Sequence, residues 1–500
     1  MELEIKIHKD ECWWGGSVSD GWKMPITEKS EYFLDCTINR TYNQFNGFFV
    51  STTGRYIHFN GGAKIQAKNG ILKISETVDC IHFCEDYKNL KEAYCAASKK
   101  YFSVPKSKFD INFVNPMYCT WMEMLTNPTQ EKIVQYAESI IEQNLKKSCI
   151  IIDDGWMYDY GDWRFDKKKF PNPKALVDQL HELGFKVMLW IVPFVNFECA
   201  EFNILQKKNA LLKDNHGQIA KVEWWNGKSA VLDMTSVEAY TWIKNILNGL
   251  QKDYGIDCFK FDAGDAMYYE VYEDISKANE QSKLWAELAF EYPNSELRAC
   301  VGGGGVPVLQ RLSDKRSDWD NEGLGGLIGN VIQAGLCGYS YVCADMIGGG
   351  QSADFKKMSQ MENEFFIRSC QMATLFPIMQ FSSAVWTKGE RINNTVKKCC
   401  EIRKKYQDYI CSLFENANVN FEPIVRPIVY EFPDYSGECS DCFMLGDKYL
   451  VAPIKTPGQK EYKIKLPEAK WKFIDGSIIQ GGVEVKMETD LDTLLIFERL

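Results

Sequence analysis

Five hundred residues, 45% apolar and 25% charged, make an ordinary soluble globular composition, long enough for about two to four domains. The net charge of −10 argues against nucleic acid or an anionic membrane as the main partner. Only five histidines occur, none with metal-ligand spacing, so carboxylates must supply any acid–base chemistry.

The first residues, MELEIKIHKD, alternate charge and apolarity and contain no apolar signal core. The most apolar run, Phe185 to Val195, is interrupted by Lys186 and is too short to span a bilayer. The expectation is a cytoplasmic protein with no membrane partner. The 18 cysteines are scattered, and several, such as Cys149, Cys258 and Cys343, sit inside apolar runs. That pattern suits free buried thiols in a reducing compartment. Cys439 and Cys442 form the one C-x-x-C and lack a second ligand pair, so no structural metal is expected. The glycine run after Cys300 has neither a G-K-[ST] nor a helix-opening G-x-G-x-x-G pattern. No cofactor is expected.

Residues 1–110 carry short alternating runs (EIKIHK, YFLDCTI, GFFVSTTGRYIHF, AKIQAKNGILKISE) broken by turn residues, which predicts an N-terminal β-sandwich. From 111 to 420 the rhythm changes. Apolar strands at 117–122, 149–154, 185–193, 258–262, 297–301, 338–345 and 376–382, with a weaker one near 311–314, alternate with amphipathic helices such as 129–145, 173–184 and 236–253. Repeated β-then-α units predict a parallel sheet closed into a (β/α)8 TIM barrel. After a helix near 393–416, short β-runs return, and 421–500 reads as a C-terminal β-sandwich domain.

The stretch CFKFDAGD, 258–265, is the most informative. Side chains alternate along a strand, so Phe259 and Phe261 face one way and Lys260 and Asp262 the other. A lysine and a carboxylate delivered together to a strand end suit a pocket, although a buried Lys–Asp ion pair is an equal reading of the stretch alone. Barrel active sites lie at the C-terminal ends of the strands. The residues there are Trp121, Asp153, Asp154, Asp262, Asp314 and Asp345. Carboxylates gathered with aromatic rings and no metal are the equipment of glycoside hydrolysis. Asp153 and Asp154 could cap a helix, but two acids beside Trp156 suit sugar hydroxyls under a stacking ring. Asp314, Asp318 and Asp320 are not distinguished by composition.

The chain resembles glycoside hydrolase family 31 from about residue 110 onward. The motifs are MYCTWMEM (117–124), IIDDGWMYDYGDWRFDKKKFPNP (151–173), EWWNGKSAVLDMT (223–235), KFDAGD (260–265), SDKRSDW (313–319), ADMIGGG (344–350), ENEFFIRSCQMATLFPIMQFSSAVW (362–386) and RPIVYEFP with FMLGDKYLVAPI (426–454). In detail they look closest to an α-galactosidase-like branch of that family. The resemblance implies a retaining α-glycosidase in which Asp262 matches the nucleophile. Asp314, five residues before Trp319, matches the acid/base, with Asp318 as fallback. It also implies that Arg298 and Asp345 line the sugar pocket; Arg368 matches an arginine on the helix before the last strand, with packing as an equal reading. Trp121, Trp156 and Trp225 would wall it, and Asp153, Asp154 and Lys260 would grip hydroxyls. D-D-G-W, K-x-D and C-x-G-G-G-G also resemble α-galactosidases of family 36, which favours an α-galactoside substrate. An α-glucosidase or α-xylosidase is the alternative, ahead of a transglycosylase or a non-catalytic sugar-binding protein. The expected partner is a small oligosaccharide or glycoside.

Overall fold

The structure, a computed structural model, describes residues 1–77, 79–103, 107–270, 275–354, 363–437 and 440–500. Near the N-terminus, Leu3–Lys6, Ile71–Ser75, Lys64–Lys68 and Tyr32–Asp35 form an antiparallel four-stranded sheet in that order. Alternation writes it: Ile65, Ala67, Leu72 and Ile74 are buried while the residues between them face outward. Asn69 and Gly70, both at positive φ, close the hairpin, where a two-residue turn needs that backbone. A second sheet is built on Gln44–Ser51, with Trp13–Ser17, Tyr56–His58 and His82–Cys84.

The barrel strands are Met117–Cys119, Cys149–Ile152, Lys186–Ile191, Cys258–Phe261, Glu296–Leu297, Leu309–Arg311, Val342–Cys343 and Gln380–Phe381. Their spatial order follows the chain, all neighbours are parallel, and the eighth strand pairs with the first. A parallel bridge between Cys343 and Ile378 closes the ring. Phe261 packs edge-on against Trp285, and Phe259 against Tyr292, toward the helix Ile275–Phe290. Lys260 and Asp262 therefore point into the barrel, as alternation requires.

Two strands differ from expectation. The segment 297–301 does not run as one strand. It leaves the barrel after Leu297, and Cys300–Val301 instead pairs in parallel with Gln44 and Phe45 of the N-terminal sheet. The departure turns Arg298 into the barrel mouth and fastens the two sheets together. The sixth strand ends at Arg311, so Asp314 stands on the loop beyond it. The N-terminal sheet also supports this strand directly, because Gln44 Nε2 donates to the Arg311 carbonyl at 3.0 Å.

The C-terminal region forms a six-stranded sheet, Val425–Arg426 to Ile478–Gln480, and an antiparallel pair of Glu461–Lys465 with Glu484–Glu488, over a core that includes Trp471, Leu450 and Phe497. Arg368 serves this packing: its guanidinium donates to the Asp490 carbonyl at 2.8 Å and to Gln371 at 2.8 Å. Among the described residues no helix is long and apolar enough to cross a membrane. Cys442 is buried, and Cys439 lies outside the described residues.

The long helix Glu390–Asn420 closes the foot of the barrel through one side chain. Buried Arg403 donates to the carbonyls of Val114, Thr374, Phe376 and Pro377, joining the approaches to the first and last strands. Arg403→Met would leave several buried carbonyls unpaired. Urea unfolding should show a loss of about 3–5 kcal/mol; a change within about 0.5 kcal/mol would refute this role.

Candidate active site

Asp262 follows the fourth strand, and its amide donates to the Ile191 carbonyl at 2.9 Å. Its Oδ1 accepts from Arg298 Nε at 2.6 Å and Arg311 Nη2 at 3.4 Å, and its Oδ2 accepts from Trp190 Nε1 at 3.0 Å. Burial alone favours the neutral acid. Arg298, Arg311 and Lys260, with the Trp190 bond, override burial and hold the carboxyl well below the usual range. Asp262 is thus an ionised, fixed carboxylate at the barrel mouth. Arg298 also donates to Asp265 Oδ2 at 2.6 Å and lies 6.0 Å from the ring centre of Tyr42, on the N-terminal region.

Arg311 is 1% exposed and is the junction of the site. Its Nε donates to Glu296 at 2.9 Å, and its Nη1 donates to Asp314 and, at 3.3 Å, to Asp345. One guanidinium therefore touches Asp262, Asp314, Asp345 and Glu296. Asp314 is the accessible member, with its side chain 34% exposed. Asp345 is sealed and held at positive φ, 99°, and its Oδ2 accepts the Lys315 amide at 2.7 Å. Burial, followed by the charge of Asp314, raises the Asp345 carboxyl to about 7. Asp318 is exposed, and its Oδ1 accepts the amide of Trp319 at 2.7 Å. The structure brings Asp314, not Asp318, to Arg311.

Lys260 lies deeper. Its Nζ donates to Asp153 Oδ2 at 2.6 Å, with Cys119 Sγ at 3.8 Å and Glu296 at 3.9 Å. Burial opposes its charge, but Asp153, then Cys119, outweigh burial and keep it protonated. Asp153 Oδ1 accepts the Asp154 amide at 2.9 Å. Asp154 accepts from the Tyr160 hydroxyl at 2.8 Å, and burial raises its carboxyl to about 7.

The tryptophans divide. Trp121 is half-buried and donates to the Gly350 carbonyl at 2.9 Å, tying the first strand to the glycine run after Asp345. Trp225 is 49% exposed and stands 6.3 Å from Trp190, ring centre to ring centre. Trp156 does not wall the pocket. It is fully buried, its ring nitrogen donates to the Trp190 carbonyl at 2.9 Å, and it packs on Trp163 and Phe165. It braces the strand that carries Trp190. A large cavity of about 1420 Å³ lies elsewhere, between the N-terminal sheet and the helix Ile275–Phe290, and none of these carboxylates lines it.

Residues 115–413 match the TIM-barrel domain of the glycosyl hydrolases family 31, and residues 421–499 match that family's C-terminal domain. The chain belongs to glycoside hydrolase family 31. It is 30% identical over 416 residues to the myogenesis-regulating glycosidase of Mus musculus, a match covering 80% of this chain and 58% of that protein. It is 24% identical over 407 residues to alpha-glucosidase 2 of Bacillus thermoamyloliquefaciens, covering 74% of this chain and 50% of that one. The chain thus spans between half and three-fifths of the length of these two relatives. A crystal structure of a family 31 alpha-xylosidase from a soil metagenome, complexed with xylose, shares the fold with a TM-score of 0.86 at 20% identity, covering 100% of this chain and 79% of that chain.

In this family 31 chain, several site residues escaped the sequence reading: Arg311, Trp190, Glu296, Asp265, Tyr160 and Cys119. Trp190 had a signal, since it pairs in register with Lys260 on the neighbouring strand and so shares its inward face. Arg311 and Glu296 lie on strands too short to show alternation. Among the described residues, no group of three or more His, Cys, Asp or Glu side chains is arranged to hold a metal ion.

The raised Asp345 carboxyl makes stability depend on pH. The folded chain keeps a proton that the unfolded chain releases, so this contribution is complete below 3.8 and is lost as pH rises through about 7. Asp345→Asn lacks that loss. Its stability relative to wild type should climb between those pH values in urea melts, and a flat difference would contradict the assignment.

Proposed function

We propose that this chain is a retaining α-glycosidase acting on terminal α-linked galactosides. The observation that carries the reading is Asp262 and Asp314 on two nitrogens of one buried guanidinium, with Asp262 ionised and Asp314 open to the mouth. In the first step Asp262 attacks the anomeric carbon while Asp314 gives its proton to the leaving oxygen, and the glycosidic bond breaks. In the second step Asp314 takes a proton from water, whose oxygen displaces Asp262 from the sugar. Retention requires the two carboxyls about 5–5.5 Å apart around the bound sugar.

The galactose preference rests on the Lys260–Asp153 pair with Asp154 beside it. A fixed ammonium and two carboxylates at the pocket floor offer both donor and acceptor to an axial 4-hydroxyl. A site built on such bonds rejects the epimer strongly, because its buried polar groups are then left unpaired. A second reading, α-glucoside or α-xyloside hydrolysis, is favoured by relatives named alpha-glucosidase 2 and Alpha-xylosidase, at 24% and 25% identity.

Nitrophenyl α-galactoside should be hydrolysed faster than the α-glucoside and α-xyloside, and NMR should find the α-anomer of the sugar first. The reverse order of rates would replace the galactose reading with the second one, and the β-anomer would exclude double displacement. Asp262→Asn should fold normally and lower kcat by about a thousandfold or more; near-normal turnover would refute Asp262 as nucleophile.

A further inference from the structure

We infer that Arg311 is a positioning residue that couples the charge of Asp262 to the work of Asp314, and so serves the second chemical step more than the first. The inference rests on the double-displacement reading above.

The resting arrangement divides one positive charge among several acceptors. Arg311 Nη2 reaches Asp262 Oδ1 at 3.4 Å, Nε reaches Glu296 at 2.9 Å, and Nη1 is shared between Asp314 and Asp345. Nη1 also donates to the Leu312 carbonyl at 3.0 Å, and the strand carbonyl of Arg311 is held by Gln44, so the guanidinium cannot swing away. With its side chain 1% exposed, water does not screen it.

Glycosylation changes this balance. When Asp262 becomes an ester, its negative charge is gone. Arg298 keeps a second charged partner in Asp265, whereas Arg311 faces an uncharged ester where the Asp262 carboxylate stood and turns its field on the carboxylates that remain. Asp314 is the accessible one, and having just given up its proton it is a carboxylate. Arg311 then holds that carboxylate in place to receive a proton from the attacking water. As the water oxygen bonds to the anomeric carbon, the ester C–O bond breaks and its electron pair returns to Asp262. Arg311 regains its first partner, and Asp314 is left protonated for the next cycle. The charged groups acting on Asp314 are Arg311 from the sixth strand, Arg298 beyond the fifth, Asp345 from the loop after the seventh, and Lys315 beside it.

The test is pre-steady-state hydrolysis of 2,4-dinitrophenyl α-galactoside, whose leaving group needs no acid. Arg311→Met should release one equivalent of phenol in a burst and then turn over about tenfold to a hundredfold more slowly than wild type. Azide, a nucleophile that needs no base, should restore much of that rate. Arg311→Lys, which returns the charge, should recover much of kcat without azide. Should Arg311→Met fail to fold, Arg311→Gln keeps a donor for Glu296 and is predicted to show the same burst and azide rescue. Equal slowing of both steps in a folded variant, with no burst and no rescue, would overturn the inference and leave Arg311 a purely structural residue. Inversion of configuration by the wild-type enzyme would instead overturn the double-displacement reading, and this inference with it.

Discussion

The guanidinium of Arg311 is the contact on which the site depends. Asp153, Asp154, Asp262, Asp265, Glu296, Asp314 and Asp345 crowd one end of the barrel, mostly buried, where like charges repel strongly. Lys260, Arg298 and Arg311 stand between them. The remaining excess is relieved by protonation, since Asp154 and Asp345 are both raised to about 7 while Asp262 is driven the other way. Carboxyls in one pocket thus hold different charge states, with Asp262 the one kept ionised. Removing one partner of such a buried pair typically costs about 3–5 kcal/mol, so the arrangement is tightly specified.

The surrounding fold holds this cluster rigid. The N-terminal sheet grips the sixth strand through Gln44 and takes Cys300–Val301 as a strand of its own. Arg298 is placed by that excursion. Two strained residues lie at the same end: Ala263 follows Asp262 at φ 51°, and Asp345 sits at φ 99°. Gly264 approaches Trp285 so closely that a β-carbon would lie 2.1 Å from its ring. Positive φ in non-glycine residues costs stability and persists where surrounding packing enforces it.

Long, strongly patterned elements were legible in the sequence. The third and fourth strands, the helix Val237–Tyr254 and the alternation of Phe259, Lys260, Phe261 and Asp262 follow from periodicity alone. So does the gathering of Asp153, Asp154, Asp262 and Asp345 at strand ends. The fifth and sixth strands were misplaced because barrel strands of two or three residues carry no period, and an apolar run such as LRACV reads alike whether it stays in one sheet or crosses to another. Trp156 was misread because an aromatic beside two acids looks the same in sequence whether it faces a ligand or braces a strand. Arg311 was invisible for a related reason: its partners come from four different strand ends, and only the closed barrel brings them to one point.

Covalent trapping tests the central claim most directly. Incubation with 5-fluoro-α-galactosyl fluoride, followed by proteolysis and mass spectrometry, should place a single fluoroglycosyl adduct on Asp262. An adduct on another carboxylate, or rapid fluoride release with none on the protein, would contradict the account.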